Sequence, residues 1–256
     1  MHDPPVTDGG VKSDETLFAI LDVLKNEGWA HVSEIATEIG VANSTVHRHL
    51  QSLHDNEFVV KEDGAYRLGY RFLELGAAVR SNDHLIREVK TVITDLAIES
   101  GESSLFMVEE HGRGVIVYQE TGSNVDRMQP HCGLRVPLHA FAAGKAVLAA
   151  LPNKRVREII HQRGLEAVSS QSITDEDTLF TELERIRETG IAYNHGENME
   201  VVRGVGATVT RPDGEVLGGV SISGPMHRMK GKRFTRELPE LIQGTIGEFE
   251  ILATHG

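Results

Sequence analysis

The most constraining feature of the sequence is residues 31–69, where two short helical patterns, a tight turn and a hairpin signal follow one another without interruption. Ile35 and Ile39 lie on the apolar face of the first pattern. We expect Ser33 to cap this helix at its N-terminus and Gly40 to end it, because glycine readily adopts the left-handed conformation of a helix C-terminus. The stretch therefore predicts one short helix that turns tightly into a second.

The second helical pattern has an apolar face and a polar face. Val46, Leu50 and Leu53 fall at i, i+4 and i+7, so they are expected to face a core. We expect Asn43 to cap the helix. The polar face is rich in hydrogen-bond donors and matches a helix that presents its first turns to base edges. Its members are Ser44, Thr45, His47, Arg48 and Gln51.

A further helical pattern precedes this pair, and a hairpin signal follows it. Asp63–Gly64 separates two apolar runs and predicts a two-residue hairpin loop, which would form a wing. The wing cations Lys61 and Arg67 are expected to contact phosphates. The sequence thus predicts a winged helix-turn-helix over residues 11–70, after a short disordered N-terminus over residues 1–10. The apolar face of the preceding helix comprises Leu17, Ile20, Leu21 and Leu24.

The charge of the chain is unusual for a DNA-binding protein. The formal net charge is −12, with Asp+Glu 38 against Lys+Arg 26, and acidic residues outnumber basic ones even within the helix-turn-helix. Most DNA-binding domains are basic. One explanation of this charge is that the domain is a packed module that binds no nucleic acid, but such a module needs no polar helix of this kind. The other explanation is that the protein comes from a cell with a very salty cytoplasm. There the attraction between cationic side chains and DNA phosphates is screened, and specificity depends on close groove contacts.

Length and composition predict two domains in a reducing compartment. The chain has 256 residues and 39% hydrophobic residues, which is enough for two cores. Its single cysteine, Cys132, excludes an internal disulfide and fits a reducing cytosol. No apolar run approaches the about 20 residues of a membrane span, and the N-terminus lacks a hydrophobic signal region. We expect a cytoplasmic protein with no membrane partner.

The remaining sequence predicts a linker helix and a second domain. Residues 71–82 form the linker, whose apolar stripe favours either contact with another chain or packing onto its own domain. Residues 83–256 mix strands with grouped helices, so the fold class is α+β, with a sensor-type second domain. The linker stripe consists of Phe72, Leu75, Ala78 and Val79. Strands are expected near 104–108, 115–118, 191–195, 205–210 and 216–223, and helices near 85–96, 142–150, 153–163, 176–189 and from about 235.

Several sequence blocks in this order carry a family resemblance. The winged helix-turn-helix is followed by PLHAFAAGKA at 137–146, GIAYNHGE at 190–197 and DGEVLGGVSISGP at 213–225. From about Val11 to the C-terminus, the chain resembles the IclR (isocitrate lyase regulator) family of transcription factors. The resemblance implies a DNA-binding domain joined by a helix to a GAF-like effector domain. It also implies dimers or tetramers that bind double-stranded DNA at a palindromic operator.

The resemblance also implies a pocket for a small-molecule effector. Free backbone N–H groups where a helix begins, at 142–144, attract a carboxylate, and two serine hydroxyls on one strand face can donate to the same anion. We therefore expect a small organic acid. Alternatively, the small residues only permit close packing. The family commonly has an acidic residue at Asn194 and a cysteine at Gly204, so this pocket is expected to take a different ligand. The implied pocket residues are Val125, Met128, Val136, Ala142, Ala143, Asn194, Val202, Gly204, Ser221 and Ser223.

Other chemistry is disfavoured, and we expect no cofactor and no metal. Gly144–Lys145 lacks the upstream glycine and following hydroxyl of a phosphate-binding loop. His131, Cys132, His139 and His195 could gather around zinc but lack paired ligand spacing, and His139 is expected to be a buried, hydrogen-bonded histidine. No nucleophile motif is present. The sequence therefore predicts a ligand-responsive transcription regulator of a catabolic or central-metabolism operon. The alternative is a sensor or enzyme in which the helix-turn-helix is only an interaction module.

Overall fold

The computed structural model describes residues 10–124 and 130–255, and the chain divides into two compact units between Asn82 and Asp83. Apart from Gly10, the predicted disordered N-terminus lies outside the described residues. Within the part of the chain that is described, no helix combines the length and apolar character needed to cross a membrane. Each unit is described separately below.

The first unit is the predicted winged helix-turn-helix followed by the linker helix. Three helices and a small antiparallel sheet, ordered β1-β3-β2, enclose one core that contains Val46, Leu50 and Leu53. The short strand β1 was not expected from the sequence. The elements are α1 (Lys12–Glu27), β1 (Ala30–His31), α2 (Val32–Ile39), α3 (Asn43–Asp55), β2 (Val59–Glu62), β3 (Ala65–Leu68) and α4 (Arg71–Ser81).

Both predicted N-caps are wrong by one or two residues. The N-cap of α2 is His31, whose backbone N–H donates to the carboxylate of Glu34 at 2.7 Å, so Ser33 lies in the first turn. His31 is extended because it pairs with β3. The N-cap of α3 is Ala42, and Asn43 is the first helical residue. Tertiary pairing and the turn geometry therefore outweigh the capping preference of serine and asparagine.

The predicted turn and hairpin are confirmed. Gly40 ends α2 with φ 69° and ψ 34°, the left-handed conformation expected there. Asp63 and Gly64 both have positive φ, 49° and 84°, between the paired residues Glu62 and Ala65. Two consecutive positive φ values are characteristic of a type I′ turn, whose twist matches the flanking strands.

The second unit is an α+β domain built on a six-stranded antiparallel sheet ordered β6-β5-β4-β9-β8-β7. One sheet face packs against α5 and α9, and the other packs against α6, with α7 and α8 outside α6. The elements are α5 (His84–Ser100), β4 (Ser103–Glu110), β5 (Arg113–Thr121), β6 (Arg135–Val136), α6 (Ala142–Ala150), α7 (Asn153–Arg163), α8 (Glu176–Thr189), β7 (Ala192–Asn194), β8 (Val202–Thr210), β9 (Val216–Pro225) and α9 (Leu238–His255).

Helix α6 approaches the sheet closely because glycines lie beneath it. A Cβ added to Gly206 would lie 2.7 Å from the carbonyl carbon of Ala142 and 2.8 Å from the nitrogen of Ala143. A Cβ added to Gly219 would lie 2.3 Å from the carbonyl oxygen of Ala143. Since these contacts are with backbone, a side chain at either position would displace the helix. The glycines on β8 and β9 thus set where α6 begins.

We predict that Gly206→Ala lowers the free energy of unfolding by about 1–3 kcal/mol, because the added methyl group overpacks this interface. The matched control is Gly244→Ala in α9, where a Cβ would meet nothing within 4 Å. The control should raise the free energy of unfolding by about 0.4–1 kcal/mol through better helix propensity. Chemical denaturation measures both. Equal stability of Gly206→Ala and the wild type would contradict the close approach.

Candidate nucleic-acid interface and ligand cavity

The outward face of α3 is available to a nucleic acid in the first unit. Ser44, His47, Arg48 and Gln51 are exposed, and Thr45 is half-buried. The side chain of Gln51 donates to Asp55 at 2.7 Å. Because the apolar side of α3 is held in the core, this polar side is presented rigidly to solvent.

The two wing cations have different surroundings. Lys61 is exposed, with its ammonium 5.3 Å from the ring centre of Tyr66. The guanidinium of Arg67 lies 5.3 Å from the ring of Trp29 and 5.4 Å from the ring of Tyr70, and it donates to the carbonyl of Leu68 at 3.0 Å. Arg67 therefore also joins the wing to the residue that precedes α4.

Helix α4 buries none of its residues. Phe72 packs on Phe58 with ring centroids 5.0 Å apart, which fixes the start of the helix to its own unit. Farther along, Leu73, Leu75 and Val79 are 67%, 49% and 72% exposed. The apolar stripe expected from the sequence thus packs on its own unit only at its first residue and is otherwise uncovered in the single chain.

In the second unit, a cavity of about 420 Å³ opens at the start of α6, and we call it the α6 cavity. Most of the pocket residues implied by the resemblance lie in its wall, namely Ala142, Asn194, Val202, Gly204, Ser221 and Ser223. The other lining residues, which the sequence did not single out, are Leu105, Asn124, Pro130, Phe141, Asn198, Met199, Val201, Gly224, Pro225, His227 and Arg228.

Two of the remaining implied pocket residues, Ala143 and Val136, are not part of this wall. Ala143, the second residue of α6, is fully buried against the sheet, and its carbonyl faces Gly219. Val136 belongs to the core on the same side of the sheet. Val125 and Met128 lie outside the described residues. The close approach of α6 explains the position of Ala143, since only the first residue of the helix reaches the opening.

The side chain of Asn194 shapes the wall through hydrogen bonds to backbone groups. Its Nδ2 donates to the carbonyl of Ala140 at 2.6 Å, and its Oδ1 accepts from the N–H groups of Gly196 at 2.8 Å and Glu197 at 3.2 Å. These hydrogen bonds fix the loop after β7, and Asn194 also lines the cavity wall. Among the described residues, Asn198 has a buried Oδ1 with no hydrogen-bond partner.

A buried lysine fixes the same loop to α6. Lys145 is 1% exposed, and its Nζ lies 2.8 Å from Oε1 of Glu197 and 3.2 Å from Oε1 of Glu182. Burial acts to raise the pKa of Glu182, but hydrogen bonds and charge attraction from Arg185 and Lys145 outweigh it and hold that pKa below its ordinary value. Lys145 thus has a structural role, and no phosphate-binding loop is needed to explain it.

The histidines and the cysteine considered for zinc do not form a cluster in the structure. Nowhere in residues 10–124 and 130–255 do three or more His, Cys, Asp or Glu side chains gather as metal ligands. Nε2 of His139 lies 3.0 Å from the carbonyl oxygen of Glu166, to which it donates as Nε2–H. Burial lowers the pKa of His139, so the ring is held neutral. His139 is the buried, hydrogen-bonded histidine that the sequence predicted.

Charge in the α6 cavity wall favours an anion. No Asp or Glu is among the described lining residues, and their one permanently charged member, Arg228, is paired with the buried carboxylate of Glu102 behind the wall. The N-terminus of α6 adds the partial positive charge of unsatisfied backbone N–H groups. Ser221 and Ser223 lie on the same side of β9 and contribute hydroxyl groups. The arrangement can bind a small acid, and no hydrogen bond among the described lining residues pairs a serine hydroxyl with a base.

We predict that Lys145→Met lowers the free energy of unfolding by about 3–5 kcal/mol, because it leaves the carboxylate of Glu197 buried without its counter-charge. The control is Lys154→Met on the exposed surface of α7, which should change stability by no more than about 0.5 kcal/mol. Denaturant titration compares the two variants. Similar small losses for both would show that the buried pair does not hold the loop.

Comparison with known proteins identifies the family of both units. Residues 16–63 match the IclR helix-turn-helix domain, and residues 77–246 match the bacterial transcriptional regulator IclR C-terminal domain. The chain is 30% identical over 244 residues to the HTH-type transcriptional repressor AllR of Escherichia coli, covering 94% of the chain and 90% of the relative. It is 28% identical over 236 residues to the probable HTH-type transcriptional regulator ArcR of Halobacterium salinarum, covering 91% of the chain and 90% of that relative.

The crystal structure of Thermotoga maritima IclR superposes with a TM-score of 0.77 at 27% identity, covering 95% of this chain and 97% of that one. The family matches cover most of the chain, and the relatives are regulators, which removes the alternative of an enzyme. The chain therefore belongs to the IclR family and is a DNA-binding transcriptional regulator.

Proposed function

We propose that this regulator binds a palindromic operator as a dimer and that a small organic acid in the α6 cavity changes its operator affinity. The target is an operon of catabolism or central metabolism. The observation that carries the proposal is the α6 cavity itself, whose described wall combines a helix N-terminus and two serine hydroxyls and includes no Asp or Glu. A ligand changes operator affinity only by favouring one arrangement of the protein over another.

The apolar part of the cavity wall limits the kind of acid. Leu105, Phe141, Val201 and Val202 line it and favour a ligand with some carbon skeleton. A sugar acid, keto acid or aromatic carboxylate fits these features better than a cation or a hydrocarbon.

The DNA contacts are proposed from the exposed face of α3. Arg48 is the only permanent cation of that helix, and the other proposed contacts are donors and acceptors suited to base edges and phosphates. Lys61 and Arg67 on the wing supply contacts to the backbone of the DNA. The full set is Ser33, Asn43, Ser44, Thr45, His47, Arg48, Gln51, Lys61 and Arg67.

We predict that Arg48→Ala weakens binding to the preferred duplex by about 1–3 kcal/mol without unfolding the protein. Lys61→Ala should instead weaken binding to all duplexes alike and reduce the salt dependence, because a phosphate contact carries no sequence information. Fluorescence anisotropy with a duplex selected from a random library, and with a scrambled duplex, measures both effects. Unchanged affinity of Arg48→Ala for the selected duplex would refute its role.

We predict that the smallest stable species is a dimer formed through the exposed stripe of α4, with a tetramer as a further assembly. A dimer would place two α3 helices about one DNA turn apart, as a palindrome requires. Leu75→Asp should shift light scattering toward the 28.1 kDa monomer, whereas Glu74→Ala on the same helix should not. A wild type that is monomeric at native salt and working concentration would contradict the dimer and the palindrome.

We predict that replacing both Ser221 and Ser223 with alanine abolishes the response to carboxylates and preserves DNA binding in their absence. Gluconate, pyruvate and benzoate serve as probes, with putrescine as a cationic comparison. Ser170→Ala, which removes an exposed hydroxyl outside the cavity wall, is the control. If the double variant responds at the same carboxylate concentration as the wild type, the serines do not bind the effector.

A further inference from the structure

A fully buried carboxylate lies directly behind the wall of the α6 cavity. The side chain of Glu102 is 0% exposed. Both of its oxygens accept from Arg228, from Nε at 2.9 Å and from Nη2 at 2.8 Å, and Oε1 also lies 3.5 Å from Nη2 of Arg233. A two-point contact between a planar guanidinium and a carboxylate fixes both the distance and the orientation of the groups. Glu102 and Arg228 therefore behave as one rigid unit.

This unit includes the end of α5. The backbone N–H of Glu102 donates to Oγ of Ser100 at 3.1 Å, and Nη2 of Arg233 donates to the carbonyl of Ser100 at 2.7 Å. Ser100 is the last residue of α5, and Gly101 follows it in the left-handed conformation. The carboxylate thus joins the last turn of α5 to the segment that follows β9.

The same segment forms part of the α6 cavity. Gly224, Pro225, His227 and Arg228 all line it. A Cβ added to Gly224 would lie 2.4 Å from Oε2 of Glu102, so only a glycine allows the carboxylate to lie against this part of the wall. A ligand that displaces the wall near Arg228 therefore acts on Glu102 directly.

Helix α5 is the element that leads toward the DNA-binding unit. It has 17 residues and is connected through Asn82 and Asp83 to α4. On the other side of the cavity, Lys145 and Glu197 connect the loop after β7 to α6 and α8, which are not adjacent to the linker in the chain. Compared with the pair at Lys145, the pair at Glu102 is therefore the one placed to act on α5.

We propose that Glu102 is a positioning residue that couples the occupancy of the α6 cavity to α5, by clamping Arg228 of the cavity wall to the last turn of that helix. The inference takes its ligand from the proposed function, whereas the clamp between Glu102 and Arg228 does not depend on that function. Without the negative charge of Glu102, Arg228 and Arg233 repel each other, and the wall moves independently of α5.

The clamp is tested first without any ligand, by hydrogen–deuterium exchange on the full-length protein. In Glu102→Gln, amides of residues 226–233 and of the last turn of α5 should both exchange at least about tenfold faster than in the wild type. The control is Glu109→Gln in β4, the strand that directly follows Glu102, which removes a carboxylate that pairs with Arg155 outside the cavity wall. It should leave both segments unchanged. Faster exchange in only one of the two segments would overturn the clamp.

Coupling is tested second, with the selected duplex and with gluconate, pyruvate and benzoate. Glu102→Gln should bind the duplex and the active carboxylate within about threefold of the wild type, while the ratio of duplex affinities with and without carboxylate falls to about one. Wild-type coupling in this variant, or loss of carboxylate binding itself, would overturn the inference. If Glu102→Gln does not fold, Glu102→Asp takes its place, because the shorter side chain keeps the negative charge but cannot keep the same two-point contact with Arg228.

The two measurements separate the possible failures. If the wild type responds to none of the carboxylates, the proposed effector class fails, and the exchange pattern alone decides whether Glu102 clamps the wall to α5. If the wild type responds and Glu102→Gln keeps that response, the effector class stands and the coupling role of Glu102 fails.

Discussion

The close approach of α6 to the sheet is the constraint on which the second unit depends. Gly206 and Gly219 bring the backbone of α6 within contact distance of β8 and β9, closer than any side chain would allow. The first turn of α6 consequently lies at the edge of an opening between the strands and the loop after β7. That geometry explains why the cavity has a helix N-terminus in its wall, and hence why it is suited to an anion.

Buried charges hold the two sides of this cavity. Lys145 and Glu197 fix one side to α6, and Glu102 and Arg228 fix the other side to α5. A buried ion pair adds little net stability, but removal of one partner is costly, so such pairs favour a single arrangement of the chain. At the other end of α5, Asp83 caps the helix and pairs with Arg211. Both ends of α5 are therefore tied by charge to residues that follow strands of the sheet, Arg211 after β8 and Arg228 after β9.

Much of the fold followed from local sequence patterns, because helix periodicity, the Asp63–Gly64 loop and the left-handed Gly40 are set by nearby residues. The caps at Ser33 and Asn43 were wrong because sheet pairing at His31 and the turn at Ala42 determine where the helices begin. Glu102 and Arg228 were not singled out, since they are 126 positions apart and only the fold brings them together. The same limit applies to Ala143, whose burial depends on glycines in distant strands.

The most direct test of the account is thermodynamic linkage in the full-length protein. The affinity for the selected duplex is measured with and without saturating carboxylate, and the affinity for the carboxylate is measured with and without saturating duplex. If ligand in the α6 cavity controls DNA binding, the carboxylate changes the duplex affinity and the duplex changes the carboxylate affinity by the same factor, of about 5 to 150. A carboxylate that binds the protein but gives a factor of one in both comparisons would contradict the account.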